Sequence, residues 1–153
     1  MYIASSLDGY IADKQGSIDF LDKIAIPEGT DMGFYTFMDR VDALVMGRNT
    51  FETVLGFDID WPYKIPVLVV SNTLQSIPDS HQQYASLVKG TPQEIRRQAD
   101  DLGYNDLYID GGATIQGFMR EGMIDEMIIT TVPVLLGGGA SLFGELVEPQ
   151  WFK

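Results

Sequence analysis

Asp42-Ala43-Leu44-Val45-Met46-Gly47-Arg48-Asn49-Thr50-Phe51-Glu52 reads as a strand that runs through one glycine into a helix. The unbroken apolar run from Ala43 to Met46 suits a strand covered on both faces, because a strand with one wet face would alternate. Gly47 ends it, and Arg48 to Leu55 continues as a helix. The arrangement recurs downstream. Leu107-Tyr108-Ile109 is a strand, Gly111-Gly112 a turn, and Ala113 to Glu121 a helix with Ile115, Phe118 and Met119 turned inward.

Working outward, Pro66-Val67-Leu68-Val69-Val70-Ser71 is another buried strand that ends at Asn72, and Tyr84 to Val88 is a shorter one. Thr91-Pro92-Gln93-Glu94 combines an N-cap Thr, a Pro in the first helical position and a Glu three residues after the cap, so a helix starts there. Ile95, Ala99 and Leu102 form its inner stripe, and Gly103 ends it. Short strands at Tyr2-Ile3-Ala4 and Tyr10-Ile11-Ala12 flank the turn Asp8-Gly9. Phe34, Phe37, Met38 and Val41 have helical spacing, with Asp31 placed to cap that helix. Met127 to Leu135 is a long strand, and Gly137-Gly138-Gly139 opens a loop. Strands alternating with helices predict the α/β class with a mainly parallel sheet, in one domain over residues 1–153. Such sheets bind ligands at the carboxyl ends of their strands, which singles out Met46/Gly47, Ser71/Asn72 and Asp110/Gly111.

Composition removes most other chemistry. The chain has 153 residues, no Cys and a single His, His81, in a polar stretch that reads as solvated loop. That excludes a disulfide framework, a thiol nucleophile and a His-x-x-x-His metal pair, and no Gly-x-Ser-x-Gly elbow exists for a triad. A formal charge of −12 and a pI near 4.2 repel phosphate backbones, so nucleic acid is not an expected partner. No apolar run reaches 18 residues, so no membrane span is expected. No basic region precedes an apolar stretch at the start, and the expected location is cytoplasmic.

Anions can still bind such a chain through local groups. At Gly47-Arg48-Asn49-Thr50, free backbone N–H groups and the positive end of a helix dipole favour a phosphate, and Arg48 can add a bidentate contact. An ordinary β–α turn with a surface Arg fits the same residues. Gly111-Gly112-Ala113-Thr114 leaves room for a diphosphate at a second helix start, or is a tight turn needing positive φ. Two such junctions in one sheet favour a nucleotide. Neither a Gly-x-Gly-x-x-Gly fingerprint nor a Gly-Lys-Ser/Thr loop is present. The loop with Asp58, Asp60 and Trp61 reads as surface, or as the edge of a lid.

Four segments in register carry a resemblance over nearly the whole chain. They are Ile3 to Ala12, Asp42 to Glu52, Leu107 to Ala113, and Pro133 to Phe143. Together they resemble the dihydrofolate reductase-like superfamily, and within it the reductase domain of bifunctional riboflavin-biosynthesis deaminase-reductases in stand-alone form. The resemblance implies a three-layer α/β/α fold and an NADPH-dependent reductase acting on a heterocycle, of the 5-amino-6-(5-phosphoribosylamino)uracil reductase kind. It implies that Gly47, Arg48, Asn49 and Thr50 grip the cofactor phosphates, with Ser71 and Asn72 near the adenosine 2′-phosphate. Gly111, Gly112, Ala113, Thr114 and Ile115 match the second turn, and Ala4 and Ile11 border the nicotinamide. Folate-reducing relatives hold the pterin with one carboxylate, and ungapped counting places Asp31 there; a helix cap is its other reading.

The resemblance also implies a possible homodimer. Family members usually continue with another strand pair, absent after Trp151-Phe152-Lys153. Dihydrofolate reductase is the rival enzyme reading, and a non-catalytic nucleotide-binding module on the same scaffold is the rival of another class.

Overall fold

The computed structural model describes residues 1–152. Strand β3, Ala43–Gly47, is the hinge of the architecture. Its four apolar side chains are all 0% exposed, as the unbroken run required. Leu44 and Met46 pack on one face, with Phe37 and Phe51, and Val45 packs on the other with Ile95, Ile115 and Phe118. β3 pairs in parallel with β4, Val67–Val70, and with β6, Leu107–Asp110. β5, Ala85–Val88, joins β4, so this sheet runs β5-β4-β3-β6, all parallel.

β1, Tyr2–Ser6, lies beside β6, where the Tyr108 hydroxyl donates to the Tyr2 carbonyl at 2.7 Å. β1 pairs in parallel with β7, Ile128–Val132. β2, Tyr10–Ala12, pairs antiparallel with β8, Ala140–Ser141.

Helices cover both faces. α1, Phe34–Met38, and α2, Arg48–Leu55, sit over Leu44, Met46 and Val69. α3, Pro92–Asp101, and α4, Gly112–Arg120, sit over Val45, Leu68 and Ile109. The result is the three-layer α/β/α arrangement with a mainly parallel sheet.

Local chemistry explains where the elements stop. α3 starts on the expected capping box: the Glu94 N–H donates to the Thr91 hydroxyl at 3.3 Å, and the Thr91 N–H donates to the Glu94 carboxylate at 2.7 Å. At its other end the Gly103 N–H donates to the Asp100 carbonyl and the Tyr104 N–H to that of Ala99, a Schellman motif. That turn brings Tyr104 onto the core and leaves Leu102, expected inside, 54% exposed. β7 stops at Val132, three residues before the expected Leu135, because Pro133 has no N–H to donate. His81 is not a solvated loop residue. Its ring packs edge-on against Trp61 at 5.4 Å, and Trp61 stacks on Tyr84 at 5.7 Å.

Asp8 staples the loop between β1 and β2 to the segment after β7. Its carboxylate accepts from the Ser6 hydroxyl at 2.6 Å, from the Leu136 N–H at 3.1 Å and from the Gly137 N–H at 2.7 Å. These donors hold its pKa below the usual aspartate value, the Ser6 hydroxyl first. A lowered carboxyl pKa contributes stability that is present above the unfolded value of about 3.9 and lost as pH falls through the folded one. Asp8→Ala is therefore expected to melt several degrees below the parent at pH 7. Melting curves at descending pH should show that gap closing below about pH 4.

Candidate active site

Both strand–glycine–helix junctions open into one cleft of about 940 Å3. The two turns interlock. A Cβ on Gly47 would stand 2.9 Å from the Thr114 hydroxyl, and one on Gly111 would collide with the Thr50 hydroxyl. Each glycine is thus required by the side chain of the opposite helix start. A Cβ on Gly112 would meet Ile11 at 3.0 Å, which brings β2 to the same point.

The starts of α2 and α4 share a second property: neither has a side-chain cap. α3 closes its own start with Thr91 and Glu94, and the Asp31 carboxylate accepts the N–H groups of Gly33 and Tyr35 at the start of α1. The uncapped N–H groups facing the cleft are therefore free for an anion, with both helix dipoles behind them.

Of the residues expected at the site, Ala4, Ile11, Gly47, Arg48, Asn49, Thr50, Gly111, Gly112, Ala113 and Thr114 line this cleft. Ile115 does not; one position further round α4 it faces the sheet and is fully buried in the core. Ser71 and Asn72 lie at the end of β4, outside the lining, where the Ser71 hydroxyl accepts from the Leu74 N–H at 3.0 Å. They connect to the cleft through Thr73, whose hydroxyl accepts from the Arg48 guanidinium at 3.2 Å. Glu52 holds the same guanidinium through Nε at 2.7 Å. Asp31 is exposed and outside the lining, with its carboxylate committed to α1; those N–H donors hold its pKa down.

The structure adds a group that sequence reading passed over. Asp110, at the end of β6, lines the cleft directly before Gly111. Burial pushes its carboxyl pKa up, opposed by the Gly111 N–H, which donates to it at 2.8 Å, and by the Met1 ammonium. Tyr63 and Tyr108 line the same end of the cleft. Burial, then the charge of Asp110, raises the Tyr63 phenol to about 12 and the Tyr108 phenol further. All three are held in their protonated forms more strongly than on a surface. Trp61 lies outside the lining and packs between Phe51 and Tyr84, so it forms no lid edge there.

Gly90, Pro92, Ile95 and Gly117 also line the cleft, as do Leu21, Thr53, Val54 and Phe57. Among the described residues, no cluster of three or more His, Asp or Glu could hold a metal, and no helix is long and apolar enough to cross a membrane.

A Shewanella sp. PV-4 protein described provisionally as a riboflavin biosynthesis protein is 53% identical and superposes with a TM-score of 0.92, over 97% of this chain and 84% of that one. A diaminohydroxyphosphoribosylaminopyrimidine deaminase/5-amino-6-(5-phosphoribosylamino)uracil reductase of Thermotoga maritima shares the fold at 14% identity and a TM-score of 0.72, over 99% of this chain and 50% of that one. Dihydrofolate reductase of Enterococcus faecalis, solved with NADP(H), shares it at 17% identity and a TM-score of 0.59, over 95% and 76%. The fold is dihydrofolate reductase-like. Residues 1–150 match the family model described as the RibD C-terminal domain, and the chain belongs to that family.

Proposed function

We propose that the chain is an oxidoreductase of the riboflavin-biosynthesis reductase kind, NADPH-dependent and acting on a heterocyclic substrate. One observation carries the cofactor: two uncapped helix starts face a single cleft, interlocked through Gly47–Thr114 and Gly111–Thr50. The N–H groups at Asn49 and Thr50, and at Ala113 and Thr114, would hold the phosphates, with Arg48 adding charge. Ser71 and Asn72 would sit toward the adenosine 2′-phosphate, and Ala4 and Ile11 beside the nicotinamide.

NADPH, when bound, supplies the hydride; orientation and a proton must come from the chain. Leu21, Val54 and Phe57 give the cleft apolar walls beside α2. Asp110 is the candidate proton donor, because burial keeps its carboxyl protonated to higher pH than a surface aspartate. Asp31, the carboxylate expected to hold the ring, instead caps α1 here. That favours the riboflavin-type reading over dihydrofolate reductase. The homodimer goes with this reading. It would use the second edge of β7, unpaired among the described residues, and the exposed Phe143, Val147 and Trp151; sedimentation at rising concentration tests it.

The test of cofactor binding is a thermal-shift titration with NADPH and NADH. Ligand at 100 times its Kd adds about 2.7 kcal/mol. Arg48→Ala is expected to lose most of the NADPH shift while keeping its unliganded melting temperature within a degree or two, because its ion pair with Glu52 is exposed. No saturable shift with either nucleotide would sink the reading.

A further inference from the structure

We propose that Tyr63 is a specificity-determining residue of the cleft: its hydroxyl donates a hydrogen bond to a ring carbonyl of a planar, pyrimidinedione-type heterocycle. The inference rests on the reductase reading above and deepens it, naming a residue and the substrate group it reads.

Three phenols line the cleft, those of Tyr2, Tyr63 and Tyr108. Two are committed to the fold. The Tyr2 hydroxyl donates to the Met32 carbonyl at 2.9 Å, and the Tyr108 hydroxyl to the Tyr2 carbonyl at 2.7 Å. Other polar side chains of the lining are spent in the same way: Thr53, Gln116 and Ser141 each donate to a backbone carbonyl. Thr50 and Thr114 belong to the starts of α2 and α4, where the cofactor phosphates would lie. The Tyr63 hydroxyl has no partner among the described residues. Nor is it sealed in the core, where the one unpartnered side-chain atom is Trp61 Nε1. It therefore opens onto the cleft as an unused polar group on a half-buried ring.

The ring that carries it is fixed in place. Trp61 meets it edge-on at 5.4 Å, and Trp61 is in turn stacked on Tyr84 at 5.7 Å and set against Phe51 at 6.1 Å. A hydroxyl on a braced ring loses little freedom when a ligand binds, and it imposes one direction on the bond. Burial, then the charge of Asp110, raises the phenol pKa to about 12, so at neutral pH the group is a neutral donor. Leu21, Val54 and Phe57 supply apolar surface in the same lining, suited to the face of a flat ring. A neutral donor among apolar walls is matched by a neutral acceptor on the edge of that ring, which a carbonyl oxygen supplies. A site that offers such a donor rejects an analogue lacking the acceptor, because the buried hydroxyl is then left unpaired.

Two rings test this: 5,6-diaminouracil, which carries carbonyls, and 4,5,6-triaminopyrimidine, which carries none. Each is titrated calorimetrically into the NADPH-saturated protein. The parent is expected to bind the carbonyl-bearing ring more tightly. Tyr63→Phe is expected to weaken that ring by about threefold to tenfold, the worth of one neutral hydrogen bond, and to leave the triaminopyrimidine unchanged. Because the hydroxyl has no protein partner to lose, the variant should keep the parent's melting temperature and its NADPH shift. An unchanged ratio of the two affinities in Tyr63→Phe would overturn the proposal, and so would a parent that binds neither ring or prefers the triaminopyrimidine. Failure of the reductase reading shows separately, as no NADPH-induced thermal shift in the parent, and takes the proposal with it.

Discussion

Asp110→Asn is expected to lower turnover by about 10²–10⁴-fold, the usual contribution of a positioned acid, while leaving the NADPH thermal shift in place. The substitution is nearly isosteric. The Asn Oδ1 can still accept the Gly111 N–H that reaches Asp110 at 2.8 Å, so the turn before α4 keeps its shape. What disappears is the acidic proton. The parent should lose activity as pH rises through the raised pKa of Asp110, and the residual activity of the variant should lack that limb. The substitution moves stability the other way from turnover. A carboxyl whose folded pKa is raised binds protons more in the folded state, so the parent loses stability as pH rises above the unfolded value of about 3.9. The amide removes that loss, and the variant should be as stable as the parent or more so at pH 7. Unaltered turnover in a folded, NADPH-binding variant would remove Asp110 from the chemistry.

Sequence reading reached the position beside Asp110 and stopped at the glycines, for a physical reason. The Met46/Gly47 and Asp110/Gly111 junctions are local: strand, glycine and helix start all lie within a dozen residues. The α3 capping box is local too, and both were legible. The raised pKa of Asp110 depends on its burial, opposed by the Gly111 N–H and by the Met1 ammonium from the far end of the chain. Before folding it is one of many aspartates in a chain of charge −12. A polar residue ending an otherwise buried strand, directly before two glycines, was the available signal. Asp31 shows the converse: its capping role is written in the local sequence, whereas its distance from the cleft lining is not. Leu102 was misplaced because helical periodicity was carried one residue too far, across the Schellman turn that substitutes Tyr104.

Gly111→Ala is expected to be the most damaging single substitution at the site, and the comparison with Gly47→Ala explains why. Gly111 has φ 84° and ψ 134°, a backbone conformation that L side chains rarely adopt, at a cost of about 1–3 kcal/mol. Its new methyl group would also collide with the Thr50 hydroxyl, and overpacking costs about 1–3 kcal/mol more. Together these take a large share of a domain stability of about 5–15 kcal/mol. Gly47 has φ −74°, open to any residue, and its methyl would meet only the Thr114 hydroxyl at 2.9 Å. Gly47→Ala should therefore show the contact cost without the backbone cost. Urea melts of Gly111→Ala, Thr50→Ala and the double variant separate the two contributions. Removing the Thr50 hydroxyl relieves the collision but not the φ, so the double variant should recover part of the loss, a coupling of about 1–3 kcal/mol. Strict additivity would mean that the two helix starts do not press on each other, and the interlock that shapes the phosphate seat would have to be abandoned.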